Sequence, residues 1–360
     1  MSYPLRDEFH RARKAVGRTL DGLWPRASFA HVTTALTDQQ HAPVRDAGPE
    51  FLPVQAREFL EHWSTVSDRE AILRVDRPCT VDPKMGILFS NGRVMWGSSD
   101  IPDRERNPRF FSHLTKPKRS LPAAILLHHF HGDNYFHFFL YVLSKAAVAE
   151  RHGLPVEIPF LVPEKTANTR FFQQAMDLGV FGERQVLIQG RKETIAVEQA
   201  YVIRAFFCHK PYFDWACDQL DVPAPSGSDR RIFVLRGQSA ANGRAFRNQD
   251  EVNALAESFG FDLVDPSNLS LSEQINLFSQ AYVIAGAHGA ALTNILFRRR
   301  LPCRIIELFS PTMGSPHYYM LAKELGFAYE SLMTLNPQGR AFTASTEVDL
   351  DGLKRVFQNL

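Results

Sequence analysis

Tyr282-Val-Ile-Ala-Gly-Ala-His-Gly-Ala-Ala-Leu-Thr-Asn-Ile-Leu-Phe297 opens as an apolar, β-branched run, the pattern of a buried strand. The run breaks at Gly286, passes Ala287-His288-Gly289 and resumes from about Ala290 as an apolar stretch compatible with a helix. Strand, small-residue turn and helix bring backbone N–H groups and the positive end of a helix dipole together, which suits an anionic group such as phosphate. The spacing is neither Gly-x-Gly-x-x-Gly nor a P-loop ending in Gly-Lys-Ser/Thr, so neither common nucleotide fingerprint is present. On these residues alone, an anion site and a plain strand-to-helix connection with a histidine at its tip fit equally.

The alternation extends outward from this stretch. Residues 231–235 read as a strand, followed by a polar loop to Asn248. Asn248 with Glu251, and Ser270 with Glu273, have the spacing of capping boxes. Each pair precedes a periodic apolar face, Val252, Leu255 and Phe259 in one case and Leu271, Ile275 and Phe278 in the other. Gly260 stands where a C′ glycine belongs. Residues 261–264, 304–308 and 327–332 read as strands and 317–325 as a helix stopped by Gly326. Residues 349–360 read as a terminal amphipathic helix through Leu350, Leu353 and Phe357. Successive β–α units predict an α/β, Rossmann-like domain with a parallel sheet.

Upstream, Gly86-Ile-Leu-Phe-Ser-Asn-Gly92 runs a strand into an Asn-Gly turn, with Arg93-Val-Met-Trp96 as its return. Residues 121–130 form an apolar strand that leads into His128-His-Phe-His-Gly-Asp-Asn-Tyr-Phe-His137 and a helix over about 135–151. Strands follow at 158–162, 185–188 and 195–203, with a helix over 169–178 ended by Gly179. Residues 51–121 otherwise read as short strands and turns, and 1–50 show little pattern beyond an amphipathic piece at 9–23. Asp221-Val-Pro-Ala-Pro-Ser-Gly-Ser-Asp229 is rich in turn residues and has no apolar period. A domain boundary is expected there, with domains over 1–225 and 226–340 and a terminal helix over 341–360.

Composition narrows the function classes. A hydrophobic content of 44% with 28 Phe among 360 residues supports a large core and a soluble globular chain. Forty-one basic against 39 acidic residues give no overall pull toward nucleic acid. The four cysteines form no C-x-x-C pair, which argues against a zinc site or a disulfide framework and for a reducing, cytoplasmic setting. No 7–15-residue apolar region follows the basic first residues, and no window approaches about 18 apolar residues, so neither a signal peptide nor a membrane span is expected. Peripheral attachment at the inner face of a membrane stays open.

Several side chains are candidates for chemistry. The loop after the 231–235 strand carries Arg236, Arg244 and Arg247, at the carboxyl end of a strand where open α/β sheets bind ligands. Arginine forks suit phosphate oxygens, so this loop and the one at Gly286 together offer contacts for a nucleotide diphosphate. Glu307 ends another strand, where an acid can accept bonds from ribose hydroxyls or cap the next helix. The cluster His128, His129, His131, Asp133 and His137 lacks His-Glu-x-x-His spacing or a cysteine partner. It reads as an acid–base group or a structural strand end before it reads as a metal site. Asp349-Leu-Asp351 has the D-x-D form but reads better as a helix N-cap at Asp349.

These motifs together resemble glycosyltransferase family 61, also described as a DUF563 or capsular-polysaccharide-biosynthesis family. Gly286-Ala-His-Gly-Ala-Ala-Leu-Thr-Asn294 is close to that family's G-A-H-G-A-G-L-T-N signature, with Ala291 in place of glycine. Asp133-Asn-Tyr-Phe-His137 is similar to its N-Y-Y-H-W segment, with Phe138 for Trp. Arg236, Arg244 and Asn248-Gln-Asp-Glu251 resemble its S-R-x…R-R-x-x-N-E-x-E pattern, with Leu235 for Ser and looser spacing. Glu307 with Tyr318, Tyr319 and Ala322 is similar to its late strand and helix. The likeness spans about residues 121–332.

The resemblance implies a GT-B architecture, two Rossmann-like domains facing across a cleft, with the terminal helix able to cross back to the first. It implies an inverting transferase that moves a sugar from a nucleotide-sugar donor, a UDP-sugar foremost, to a glycan or glycolipid acceptor in surface polysaccharide biosynthesis. Arg236, Arg244, Gly286, His288, Gly289, Asn294 and Glu307 carry over as donor-binding residues, and Asp133 and His137 as candidates for the catalytic base. No metal ligand set is assigned, and a divalent ion (Mg or Mn) stays open as a cofactor. The rival readings are a Rossmann epimerase, which would want a dinucleotide fingerprint, and a non-catalytic nucleotide- or sugar-binding module of an assembly complex.

Overall fold

The computed structural model describes residues 23–41, 48–65, 68–100, 117–224, 230–236, 246–299, 301–339 and 344–360, with single positions at 12, 15, 16 and 19. Their contacts divide the chain into two units. The first comprises Met1–Gln40 with Arg69–Phe207, and the second His41–Asp68 with Cys208–Leu360. The division therefore falls ahead of the turn-rich stretch at 221–229, of which 225–229 lie outside the described residues. Helix Lys210–Gln219, which no sequence pattern had marked, explains the shift. Cys217 Sγ donates to Leu296 O at 3.6 Å, and Arg299 pairs with Asp218 at 2.6 Å, tying the helix into the second unit.

Unit 1 is built on a mixed sheet of strands β1 (Thr33–His41), β2 (Asp68–Val75), β3 (Cys79–Val81), β4 (Leu88–Ser90), β5 (Arg93–Met95), β6 (Arg119–Leu126), β7 (Phe160–Pro163), β8 (Val186–Gln189) and β9 (Ile195–Arg204). Its main path runs β5-β4-β3-β9-β6-β7-β8. β9, β6, β7 and β8 are parallel neighbours, while β2 and β3 add to β9 antiparallel. β7 is buried along its whole length and β6 and β9 over their second halves, as expected where helices cover a sheet. The Asn-Gly hairpin forms as expected: Asn91 and Gly92 both have positive φ, and Ser90 pairs with Arg93. Both central residues of a type I′ turn need that conformation.

Unit 2 carries β10 (Arg230–Val234), β11 (Phe261–Val264), β12 (Ala281–Ala287), β13 (Arg304–Phe309) and β14 (Ala328–Met333). They form an all-parallel sheet in the order β11-β10-β12-β13-β14. Chain order reverses between β10 and β12, so the loops leaving these two strands diverge and leave a crevice at their carboxyl ends. Phe233, Val283, Ala285, Ile306 and Leu308 bury one face of the sheet with Leu353, Val356 and Phe357 of helix Leu350–Gln358. The Phe261 and Phe357 rings lie 4.5 Å apart; burying one such ring contributes about 1.5–3 kcal/mol. The apolar face of the terminal helix is thus spent within unit 2.

The two expected capping boxes part company. Ser270 and Glu273 form the full reciprocal box ahead of Leu271–Ser279. Asn248 occupies the N-cap position of Gln249–Ser258 without a side-chain cap bond. Its amide instead donates to Val348 O at 2.9 Å and accepts from Val348 N at 3.0 Å. A chain returning one hundred residues later outcompetes the local partner. Asp349 likewise holds the N-cap position of its helix with no side-chain cap bond.

Helix Val54–Trp63 corrects the reading of 51–121 as strands and turns alone. Leu52, Ala56 and Leu60 pack on Phe309 and Met313 of unit 2, and Ser331 Oγ donates to Phe51 O at 3.0 Å. The four cysteines are buried. Burial pushes the thiols of Cys79, Cys217 and Cys303 up to about 12, so they act as small apolar side chains. Among the described residues no helix is long and apolar enough to cross a membrane.

Candidate active site

In unit 2 the crevice between β10 and β12 is lined from both sides by expected donor residues. Arg236 lies two residues beyond β10, and its Nη1 donates to His288 O, one residue beyond β12, at 3.0 Å. This bond needs small residues beneath it. A Cβ on Gly286 would sit 2.9 Å from both Cβ and O of Val234, and one on Gly289 would sit 3.0 Å from Arg236 Nη1. Gly286 therefore sets how closely β12 approaches β10, and Gly289 lets the guanidinium lie over the turn. Arg244 lies outside the described residues.

The apolar run after the turn is a nine-residue 3₁₀ helix, Ala290–Arg298, and not an α-helix. Gly289 is its N-cap, with no side chain satisfying the first N–H groups, which by geometry point out of the helix start. Asn294, expected at the donor, is fully buried and its amide donates to Gln274 Oε1 at 2.9 Å. It braces the helix against Leu271–Ser279.

His288 Nδ1 is hydrogen-bonded to Glu307 Oε1, and Tyr329 OH donates to Glu307 Oε2. A carboxylate only accepts, so the His288 proton on this contact sits on Nδ1 and the second polar atom of the ring is Nε2. Glu307 is 0% exposed with both oxygens engaged. The Glu307 carboxylate thus faces His288 and Tyr329 inside unit 2. Burial and then the Glu307 carboxylate push the Tyr329 hydroxyl well above its ordinary range, keeping it a donor. The His288 ring packs on Phe309 at 5.1 Å and edge-on to Tyr318 at 5.2 Å. His317 behind it is pushed down to about 3 by burial and by His288, so it is neutral, and its Nδ1 meets Ser315 Oγ at 2.8 Å.

The histidine cluster of unit 1 lies beyond the end of β6, in a turn, so His129 and His131 do not share a strand face. Asn134 caps the following helix, accepting from Phe136 N and His137 N, and a π-helical turn at Phe138–Val142 interrupts it. Such turns concentrate at functional positions because they re-aim neighbouring side chains. His137 Nδ1 lies 2.9 Å from His129 Nε2. Asp133 turns instead to Lys165, 2.7 Å away in a half-exposed ion pair. His128 bonds Gln189 Oε1 at 2.9 Å, and burial pushes it down to about 4. Among the described residues no His, Cys, Asp or Glu group has the arrangement of a metal site.

Residues 135–306 match the family model described as Glycosyltransferase 61. Over that stretch the chain is similar to glycosyltransferase family 61. The family 61 segment holds Tyr135–His137, Arg236 and the whole Gly286–Asn294 turn, while Asp133 and Glu307 fall just outside it. A search among curated proteins found no match. Two partners in the site escaped the sequence reading. Asp100 contacts His129 from 29 residues upstream, and no motif marks it. Tyr329 sits one strand beyond Glu307, and its alternation with Ser331 on β14 was the available signal.

Proposed function

We propose that this chain is a family 61 inverting glycosyltransferase of the GT-B class, with a nucleotide-diphosphate sugar as donor and a glycan or glycolipid as acceptor. The observation that carries the donor half is the Arg236–His288 pairing at the strand-order reversal of unit 2. A diphosphate leaving group is dianionic or more, and its departure needs fixed positive charge and N–H donors. Arg236 and the N–H groups at the start of Ala290–Arg298 supply these, with His288 held in one tautomer by Glu307 beside them. In inverting transfer the acceptor hydroxyl attacks opposite the departing diphosphate and gives its proton to a base. His137 is our choice over Asp133, because the Asp133 carboxylate is neutralised by Lys165 while His137 is backed by a second imidazole.

Calorimetric titration with UDP, other nucleoside diphosphates and their sugars tests the donor half. Losing a charged hydrogen-bonding group costs about 1.5–3 kcal/mol, so Arg236→Ala is expected to weaken nucleotide-diphosphate binding about 10- to 150-fold. Unchanged affinity in a folded Arg236→Ala variant would refute the assignment. Release of free nucleoside diphosphate from a sugar donor, with or without acceptor, separates a transferase from a binding module.

A further inference from the structure

A line of hydrogen-bonded side chains in unit 1 runs from the partly buried Asp100 carboxylate to the imidazole proposed above as base. Asp100 Oδ2 lies 3.0 Å from His129 Nδ1, and His129 Nε2 lies 2.9 Å from His137 Nδ1. We infer that Asp100 and His129 are positioning residues that decide which nitrogen of His137 is basic and that receive the charge when it takes a proton. This rests on the reading of His137 as the acceptor base. Both residues lie outside the family 61 match.

The proton inventory follows from the chemistry of the groups. Burial works against ionisation of Asp100, but the charges of Lys145 and Arg204 and the hydrogen bond from His129 outweigh it and hold the carboxyl well below the usual carboxylate range. An ionised carboxylate only accepts, so His129 carries its proton on Nδ1. A neutral His129 then accepts at Nε2, His137 donates through Nδ1–H, and the basic lone pair of His137 falls on Nε2. Two imidazoles alone could hydrogen-bond in either direction. The carboxylate at the far end removes the choice.

The surroundings keep the line in register. Lys145 Nζ lies 2.7 Å from Asp100 Oδ2 and donates to His128 O, pinning the carboxylate from the far side. The His129 ring stacks on Tyr141 at 4.4 Å and 7°, and His137 stacks on the same Tyr141 at 5.3 Å and 20°. His128 stays out of the line, engaged by Gln189.

In transfer, the acceptor oxygen forms its bond to the anomeric carbon with its own electron pair. The bond to the diphosphate oxygen breaks with its pair on the leaving group. The hydroxyl proton goes to His137 Nε2, and the Nδ1 proton of His137 passes to His129 Nε2. The positive charge then rests on the ring that touches Asp100, where the opposite charge favours it.

Nitrogen-15 spectroscopy of the full chain, labelled at histidine, tests this at neutral pH without any substrate, with the His137 signals assigned by their loss in His137→Gln. The expected wild-type spectrum has His137 protonated on Nδ1 and bare on Nε2. The opposite tautomer in the wild type would overturn the inference. Asp100→Asn keeps the shape but lets an amide donate to His129, which permits the inverted line. Its kcat is expected to fall about 10²- to 10⁴-fold, with nucleotide-diphosphate affinity within twofold of wild type and part of the rate returned in Asp100→Glu. A folded Asp100→Asn with wild-type kcat and an unchanged His137 spectrum would also overturn it. A wild-type chain that transfers no sugar from any donor would instead count against the proposed function, and the wild-type tautomer would still decide the relay.

Discussion

Replacing Gly286 by alanine separates a glycine that binds ligand from one that spaces strands. The added Cβ would meet Cβ and O of Val234 at 2.9 Å each, closer than real Cβ contacts come, and one of the two is backbone. Val234 and Gly286 are register partners in the β10–β12 ladder, so relief requires parting the two central strands by several tenths of an ångström. Forcing a methyl into a close-packed interior costs about 1–3 kcal/mol. Unit 2 spans roughly 180 residues, for which each kcal/mol moves a melting midpoint about 2–4 °C. Differential scanning calorimetry should therefore show a loss of about 2–12 °C for the transition that nucleotide binding stabilises. The same parting stretches the 3.0 Å bond from Arg236 to His288 O, so nucleotide-diphosphate affinity should fall as well. A melting midpoint within 1 °C of wild type would refute the packing argument. Lost affinity at unchanged stability would make Gly286 a ligand contact after all.

Two further substitutions contrast a buried carboxylate with an exposed one. Glu307→Ala strands the His288 Nδ1–H and Tyr329 hydroxyl in a dry interior and is expected to cost about 2–5 kcal/mol in urea unfolding. Asp133→Asn removes only a half-exposed pair with Lys165 and should stay within about 1 kcal/mol of wild type; equal losses would contradict the burial assigned to Glu307. Acid should destabilise the chain through two neutral histidines, the buried His128 at about 4 and the partly buried His317 at about 3. Their unfolded value near 6.5 lies above the folded one, so the unfolded chain binds more protons and stability falls as pH drops below about 6.5. Each contributes up to about 1.4 kcal/mol per pH unit down to its folded value. Urea midpoints from pH 7 to 4.5 should flatten in His317→Asn, and an equally steep dependence would refute that histidine's part.

How far the site could be read from the residues depended on how local its causes are. The Asn91-Gly92 hairpin, the Ser270–Glu273 box and helix His317–Leu325 with its Gly326 stop were legible because their partners lie within a few residues. Asn248 has the spacing of a capping box, yet its side chain bonds Val348, a hundred positions away. Asn294 and Glu307 sit in a recognisable pattern, yet their side chains face the interior. Residue type and spacing carry no signal for that direction here.

By itself the sequence determined the alternation of strands and helices, the glycine-rich turn after β12 and the family that it resembles. Those features follow from backbone conformation and apolar period, which neighbouring residues dictate. Only the tertiary structure decided which strands adjoin, and with that, that Arg236 meets His288, that Glu307 serves His288 and that Asp100 stands behind His137. Each of these pairings joins residues 19 to 52 positions apart. They meet because the packing of the two sheets brings strand ends and loops that are distant in the chain side by side.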